Sequence, residues 1–399
     1  MKTRKARFRH LPPTAVPIKG SDLRSGLRPS PNSLQQFTVD LAAYLGIAPD
    51  ACRLASSGRT ALYCLLQGLK LENRTRNQII IPAYTCPAVA RVAIDLQLQP
   101  LFVDLSPETF YFDQDQLAAA VGEHTLAVIL VHPFGIPLPV EEIKSLTNSA
   151  GAVLIEDAAQ ALGARQNNQP VGTQGDYGLF SLGPGKPIST GGGGIAISNH
   201  PQGIQVLAQG WAELPEQGGV GSTRSWLRQA IFQLAFQPHA WWVATQMGLH
   251  RVGNHETSWG YSLTNLTPSQ AGTGRALLSR LDVINVGRKR HAARLSTALQ
   301  QSVHVHAVRI EENADPIYLR FPIITESEQQ REQLFAKLWS EGIGAGRLYE
   351  ASLPSIYPMY ATKSYPGAEA VAGRLITLPT HHFVTESDLQ VMSQILAQT

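Results

Sequence analysis

Between Gln78 and Ile197 the chain alternates short apolar runs with amphipathic spacers, and this alternation limits the fold more than any other feature. The runs are Ile79-Ile80-Ile81, Leu101-Phe102-Val103, Leu126 to Val131, Val153-Leu154-Ile155, Gly178-Leu179-Phe180 and Ile195-Ala196-Ile197. None of them alternates with polar residues, so each suits a strand buried on both faces, and the spacers suit crossover helices. The pattern predicts an α/β fold with a mostly parallel, doubly covered sheet. Ligands of such sheets bind beyond the carboxyl ends of the strands. Thr85, His132, Asp157 and Ser181 all fall there.

Two of these runs end on chemically useful side chains. Asp157 closes one, Ser181 closes another, Lys186 follows shortly after, and Gly191 to Gly194 are consecutive glycines. Asp157 and Lys186 are separated by room for a strand, a turn and a second strand, so both can reach one pocket. A desolvated lysine amine forms a Schiff base with an aldehyde. Pyridoxal phosphate is the common protein-bound aldehyde, and its ring nitrogen serves as an electron sink when a carboxylate keeps it protonated. In that reading Lys186 binds the aldehyde, Asp157 holds the ring nitrogen, and Ser181 with backbone N–H groups takes the phosphate. Upstream, Ser56-Ser57-Gly58-Arg59-Thr60 opens a helix whose first N–H groups and dipole favour an anion. A plain N-cap is the alternative for that segment.

The chain resembles the DegT/StrS sugar aminotransferases, pyridoxal-phosphate enzymes of fold type I. The resemblance rests on Ser57 to Leu62, Ile81-Pro-Ala-Tyr-Thr85, Phe102-Val-Asp104 with Pro107 to Phe110, His132-Pro-Phe-Gly135, Glu156 to Gln160, Ser181 to Lys186 with the glycine run, and Pro366 to Glu369 with Arg374 and Leu378-Pro379. It implies a cofactor site of Gly58, Arg59, Thr60, Cys86, Asp157, Gln160, Ser181 and Lys186. In it Gln160 bonds the cofactor's phenolic oxygen or merely caps its segment, and Cys86 touches the ring or merely packs. His132 and Tyr349 are the substrate-side candidates; His132 reads equally as a second-layer or a merely buried histidine. The resemblance further implies that Lys186, once freed, moves the proton between the donor's Cα and the cofactor. The donor is then an amino acid, glutamate or glutamine, and the acceptor a keto sugar, nucleotide-linked, in polysaccharide, glycan or secondary-metabolite biosynthesis. It also implies a homodimer with an N-terminal arm wrapped on the neighbour. Four positions depart from the family: Arg59 for threonine, Cys86 for an aromatic, Gly192 for glutamate, and Leu348 for the histidine of a histidine–tyrosine pair. The rival readings are a pyridoxal-phosphate-binding regulatory homologue and a sugar dehydratase, whose members carry histidine in place of Lys186.

With 43% hydrophobic and 16% charged residues over 399 positions, the composition is that of a soluble globular chain large enough for two domains. The expected division is an arm over residues 1–33, a large cofactor-binding domain over 34–265, and a small α/β domain over 266–399 that includes an interdomain helix. A net charge of +3 argues against nucleic acid, and the basic run Lys2 to Arg9 reads as a solvated tail. Three cysteines without metal-type spacing, and no apolar leader after the basic start, point to a cytoplasmic protein that holds no metal. Helical periodicity predicts a helix over Ser33–Leu45 and a long one from Thr267 to Leu299. Ile317 to Phe321 reads as a strand, and capping boxes stand at Thr325–Glu328 and Thr385–Asp388. An aromatic-rich insertion spans about 210–258. Its stretch 224–251, edged by Arg224 and Arg251, reads either as a helical insertion packed on the body or a dimer partner, or as a peripheral membrane contact.

Overall fold

A computed structural model describes residues 8–248 and 260–399. Arg251 and the Lys2–Arg7 part of the basic run lie outside the described residues. All six apolar runs form strands. The central sheet holds β1 (Cys52–Ala55), β2 (Gln78–Pro82), β3 (Gln99–Val103), β4 (Thr125–Val131), β5 (Val153–Asp157), β6 (Tyr177–Ser181) and β7 (Gly194–Ser198), in the spatial order β1-β7-β6-β5-β4-β2-β3. The pairs from β6 across to β3 are parallel, whereas β7 runs antiparallel to both β6 and β1. The mostly parallel sheet is therefore as expected. β1 itself is not visible in the apolar pattern, because Cys-Arg-Leu-Ala is too short and mixed; its pairing with β7 makes it a strand.

Both faces of the sheet are covered, which is why its strands read as continuous apolar runs. In chain order the first twelve α-helices are α1 (Gly20–Leu27), α2 (Ser33–Leu45), α3 (Gly58–Glu72), α4 (Pro87–Asp95), α5 (Gln114–Ala120), α6 (Glu141–Ala150), α7 (Pro201–Trp211), α8 (Gly219–Ala235), α9 (Pro238–Gln246), α10 (Pro268–Leu278), α11 (Leu281–Leu299) and α12 (Glu328–Ser340). Leu62, Leu65 and Leu66 of α3 join Ile79 and Ile81 of β2 in one core, while Phe37 and Leu41 of α2 join Ile195 and Leu277 in another. A second sheet, β8 (Val305–Ala307), β9 (Arg320–Thr325) and β10 (Leu375–Pro379), packs on α11, α12 and the C-terminal helix Glu386–Leu396 around a core of its own.

Four details differ from the sequence expectations. The long helix after Thr267 is two, α10 and α11, broken at Ser279–Arg280. The strand expected from Ile317 begins at Arg320, because Tyr318 sits at a left-handed φ of 47° that no strand continues through. The cap of α12 is Ser327, whose hydroxyl accepts from Gln330 N–H; Thr325 is still paired inside β9 and is not the cap. The arm region holds a helix, α1, that packs on α10 so closely that a Cβ on Gly26 would collide with Thr273 Oγ1.

The arm also lies on its own chain. Arg9 makes a two-pronged ion pair with Asp388 at 2.9 and 3.0 Å, Leu11 is fully buried in the core around the second sheet, and His381 Nε2 donates to Pro12 O at 2.9 Å. From there the chain reaches the loop after β6, where Thr14 packs against Gly185.

In the insertion, Pro238 ends α8 and starts α9. One side of α8 faces the body: Trp226 Nε1 donates to Leu23 O at 2.8 Å, Gln233 Nε2 donates to Ile18 O at 3.0 Å, and Ser225 Oγ lies 2.8 Å from Thr267 Oγ1. Phe236 stacks on Trp241, and Trp242 meets Phe8 edge-on. Trp226, Phe236, Trp241 and Trp242 are half-buried, and these aromatic residues contact one another and the body. Among the described residues no helix is long and apolar enough to cross a membrane.

Candidate active site

Asp157 and Ser181 occupy the last positions of neighbouring parallel strands, β5 and β6, so both emerge at the same edge of the sheet. Asp157 is buried, and its Oδ1 accepts from Ala159 N–H at 3.0 Å. Burial pushes its pKa up, while the Ala159 N–H and the charges of Lys186 and His132 oppose that rise without cancelling it. An acid in this state gains from any additional cationic partner.

Ser181 faces the start of α3. A Cβ on Gly58 would sit 3.1 Å from both Ser181 Cβ and Oγ, so the glycine lets the helix end close on the serine. Ser57 caps α3 by accepting from Thr60 N–H at 3.0 Å. The Gly58 and Arg59 N–H groups belong to the first turn, where no intrahelical acceptor exists. Ser57 also bridges to Gly193, whose φ of 121° demands glycine, and Gly194 pairs with both Ala55 and Ser181. The glycine run is thus the back wall of the cradle formed by Ser57, Gly58 and Ser181.

The segment bearing Lys186 is fixed on both sides. Gly185 adopts a φ of 74° against Thr14 of the arm, and Lys186 N–H donates to Gly183 O at 3.3 Å. On the other side, the fully buried Arg288 donates to Pro187 O at 2.9 Å and to Asn285 Oδ1 at 2.7 Å. Burial lowers the Arg288 pKa to about 10. The Lys186 amine itself forms no hydrogen bond or ion pair among the described residues, although its charge acts on Asp157. An unpaired amine, a buried acid that favours a cation, and an anion cradle of helix N–H groups and a hydroxyl fit the three ends of pyridoxal phosphate.

The remaining candidates are placed as follows. Thr60 is fully buried and its hydroxyl donates to Ser262 O at 2.9 Å, so it braces the cap and does not offer a hydroxyl to an anion. Arg59 lies over the Tyr261 ring at 5.9 Å. Gln160 is buried on the turn after β5, and its Oε1 accepts from Phe134 N–H at 3.3 Å. Cys86 is half-buried at the N-cap of α4. Tyr349 packs edge-on against Tyr84 with ring centroids 5.9 Å apart, and Tyr84 donates its hydroxyl to Leu348 O. His132 is fully buried: Nδ1 accepts from Leu138 N–H at 3.0 Å, so Nε2 carries the proton and donates to Glu156 Oε2 at 3.0 Å. Both ring nitrogens are engaged within the protein.

Glu156 is the residue whose importance the sequence did not reveal. On β5 it points to the face opposite Asp157. There its carboxylate accepts from His132 and from the N–H groups of Gly172, Gln174 and Gly175 at 2.6–2.8 Å. Burial pushes its pKa up, but the bonds from His132, Gly175 and Gly172 outweigh that and hold it below the usual carboxylate range. The alternation of faces along a strand covered on both sides was the available signal.

An α/β transferase scaffold with a lysine, an acid and a phosphate cradle at its strand ends is the class these elements define. The chain belongs to the DegT/DnrJ/EryC1/StrS aminotransferase family, whose profile matches residues 23–396. Its fold is that of the aminotransferase TlmJ from Streptoalloteichus hindustanus, with a TM-score of 0.76 at 20% identity over 98% of each chain. The aminotransferase PseC of Helicobacter pylori superposes with a TM-score of 0.78 at 17% identity, again over 98% of each chain. Among curated relatives, a "pleiotropic regulatory protein" of Geobacillus stearothermophilus is 27% identical over 98% of this chain and 95% of its own length. The GDP-perosamine synthase of Escherichia coli O157:H7 is 28% identical over 84% of this chain and 82% of its own.

Proposed function

We propose that this protein uses pyridoxal phosphate to move an amino group from an amino acid, glutamate or glutamine, to a keto group on a nucleotide-linked sugar. The observation that carries this reading is the convergence of Asp157, Lys186 and the Gly58–Ser181 cradle at one edge of the sheet. Asp157 would hold the ring nitrogen, Ser181 and the Gly58 and Arg59 N–H groups would hold the phosphate, and Lys186 would hold the aldehyde carbon. When bound, the cofactor supplies an electron sink for the charge left at the donor's Cα. Asp157 keeps that sink charged, because a buried carboxylate is stabilised by a proton held on the ring nitrogen. Lys186, when its amine is free, would act as the general base that holds and moves the donor's Cα proton. Arg288 and Thr14 keep the lysine's backbone from drifting, which matters because misplacement by about 1 Å costs about 10²-fold in rate.

The kind of acceptor rests on family membership and on relatives that act on nucleotide-linked sugars, such as the GDP-perosamine synthase. Mixing the cofactor-loaded protein with glutamate alone should release 2-oxoglutarate in an amount equal to the number of sites and then stop. Turnover would resume only when a keto sugar nucleotide is added. A regulatory homologue is the second reading, favoured by the name of the Geobacillus relative that spans nearly the whole chain. Under it, cofactor would bind and no donor would yield a keto acid.

A further inference from the structure

Helix α8 belongs to the insertion, where the family resemblance is weakest, yet it lies directly against the glycine run. Gln229 is buried beside Gly191, which a Cβ would bring within 3.2 Å of Gln229 Cα, and Gln229 Nε2 donates to Ser189 O at 3.4 Å. One residue earlier, Arg228 sends its guanidinium over Gly192. A Cβ there would collide with Arg228 Nη2, and it would also come within 3.2 Å of Gln270 Nε2 and 3.3 Å of Ser56 O. The absence of a side chain at Gly192 is thus what admits the arginine.

The next residue, Gly193, bridges to Ser57 at the start of α3, so the guanidinium stands one residue from the phosphate cradle. It also forms no hydrogen bond or ion pair among the described residues, although Arg275, Arg280 and Arg331 all have carboxylate partners.

We infer that Arg228 is a phosphate-binding residue of this site, delivered from the insertion and made possible by glycine at position 192. This rests on the proposed cofactor-dependent function. A guanidinium presents paired donors that match the oxygens of a phosphate ester, which a compact ammonium does not. The phosphate would be that of the cofactor or the diphosphate of a nucleotide-linked acceptor. Cooperation with the α3 N–H groups follows from their position on the same wall.

Two titrations of the full chain decide this, each on the wild type, Arg228→Ala, Arg228→Lys and Gly192→Glu. Pyridoxal phosphate binding is read by absorbance, and UDP binding to the cofactor-loaded protein by calorimetry. Loss of one charge-assisted phosphate contact should weaken one of the two ligands by about 10- to 100-fold in Arg228→Ala. Arg228→Lys should recover part of that loss. Gly192→Glu should reproduce it, because its carboxylate would pair with the guanidinium. The ligand that weakens identifies the source of the phosphate. Unchanged affinity for both ligands overturns the inference. A wild type that binds no pyridoxal phosphate would overturn the proposed function instead, and the same UDP titration made on the cofactor-free protein would then decide the role of Arg228.

Discussion

The edge of the sheet around β5 and β6 and the outer face of α8 are built on opposite terms. At the sheet edge almost every polar group is matched: Glu156 collects four hydrogen bonds in full burial, His132 uses both ring nitrogens, and Arg288 is satisfied by a carbonyl and an amide. Among the groups left without a partner are those assigned to the cofactor, the Lys186 amine and the cradle N–H groups, beside a few buried amide atoms such as Gln174 Nε2 and Asn199 Oδ1. On α8 the inner face is hydrogen-bonded to the body, but the outer face leaves Val220, Leu227, Ile231 and Leu234 more than half exposed, from 52% to 70%. Incomplete satisfaction inside a dense network marks chemistry. On a solvent-facing helix, the same exposure of apolar side chains places little of the fold's stability at risk.

Four variants would break or sharpen that contrast. Lys186→Ala should remove the base and the aldehyde anchor together, lowering the glutamate half-reaction by at least about 10⁴-fold in stopped-flow measurements, with no loss of stability in the cofactor-free protein. Asp157→Asn should cost about 10²–10³-fold in the same assay. Its effect on stability has the opposite sign. The folded-state pKa of Asp157 is raised, so above that pKa the native state carries the cost of a buried charge, and below it the cost disappears. Without cofactor, Asp157→Asn should therefore melt no lower than the wild type at pH 8, and the difference should shrink as the pH falls.

His132→Ala should act through stability. It strips one partner from the fully buried Glu156, a change that costs about 3 kcal/mol and is read as a lower denaturation midpoint. Glu156 has a depressed folded-state pKa, so its contribution is present above the unfolded carboxyl value and is lost as pH falls through the depressed one. Acid unfolding of the wild type should show that loss. The smallest effect is expected from Leu227→Ser with Ile231→Ser, within about 0.5 kcal/mol in chemical denaturation and without change in the half-reaction. A much larger loss would show that this face is covered in solution.

The same contrast explains what could be read from the sequence. The buried strands were legible because a strand covered on both faces leaves an unbroken apolar run, and Asp157, Ser181 and Lys186 follow from where those runs stop. β1 and α1 were not legible, since Cys-Arg-Leu-Ala and Gly-Ser-Asp-Leu-Arg-Ser-Gly carry no pattern and acquire structure only from β7 and α10. Thr325 was read as a cap because Thr-x-x-Glu has the right letters, whereas Ser327 two residues on has the right place beyond β9. No letter encodes hydrogen-bond direction, so the sequence does not show that the Thr60 hydroxyl donates to Ser262 O or that both ring nitrogens of His132 are engaged within the protein. Arg228 could not be found at all from sequence, for its nearness to Gly192 joins two segments that share no motif.

The most direct test is a visible absorption spectrum of the protein incubated with pyridoxal phosphate, recorded before and after glutamate, beside Lys186→Ala. The expected result is a visible band in the wild type that glutamate converts to a shorter-wavelength one, and no such conversion in the variant. A wild-type spectrum that glutamate, glutamine and other amino donors leave unmoved would contradict the assignment of Lys186 and Asp157 as a working transamination pair.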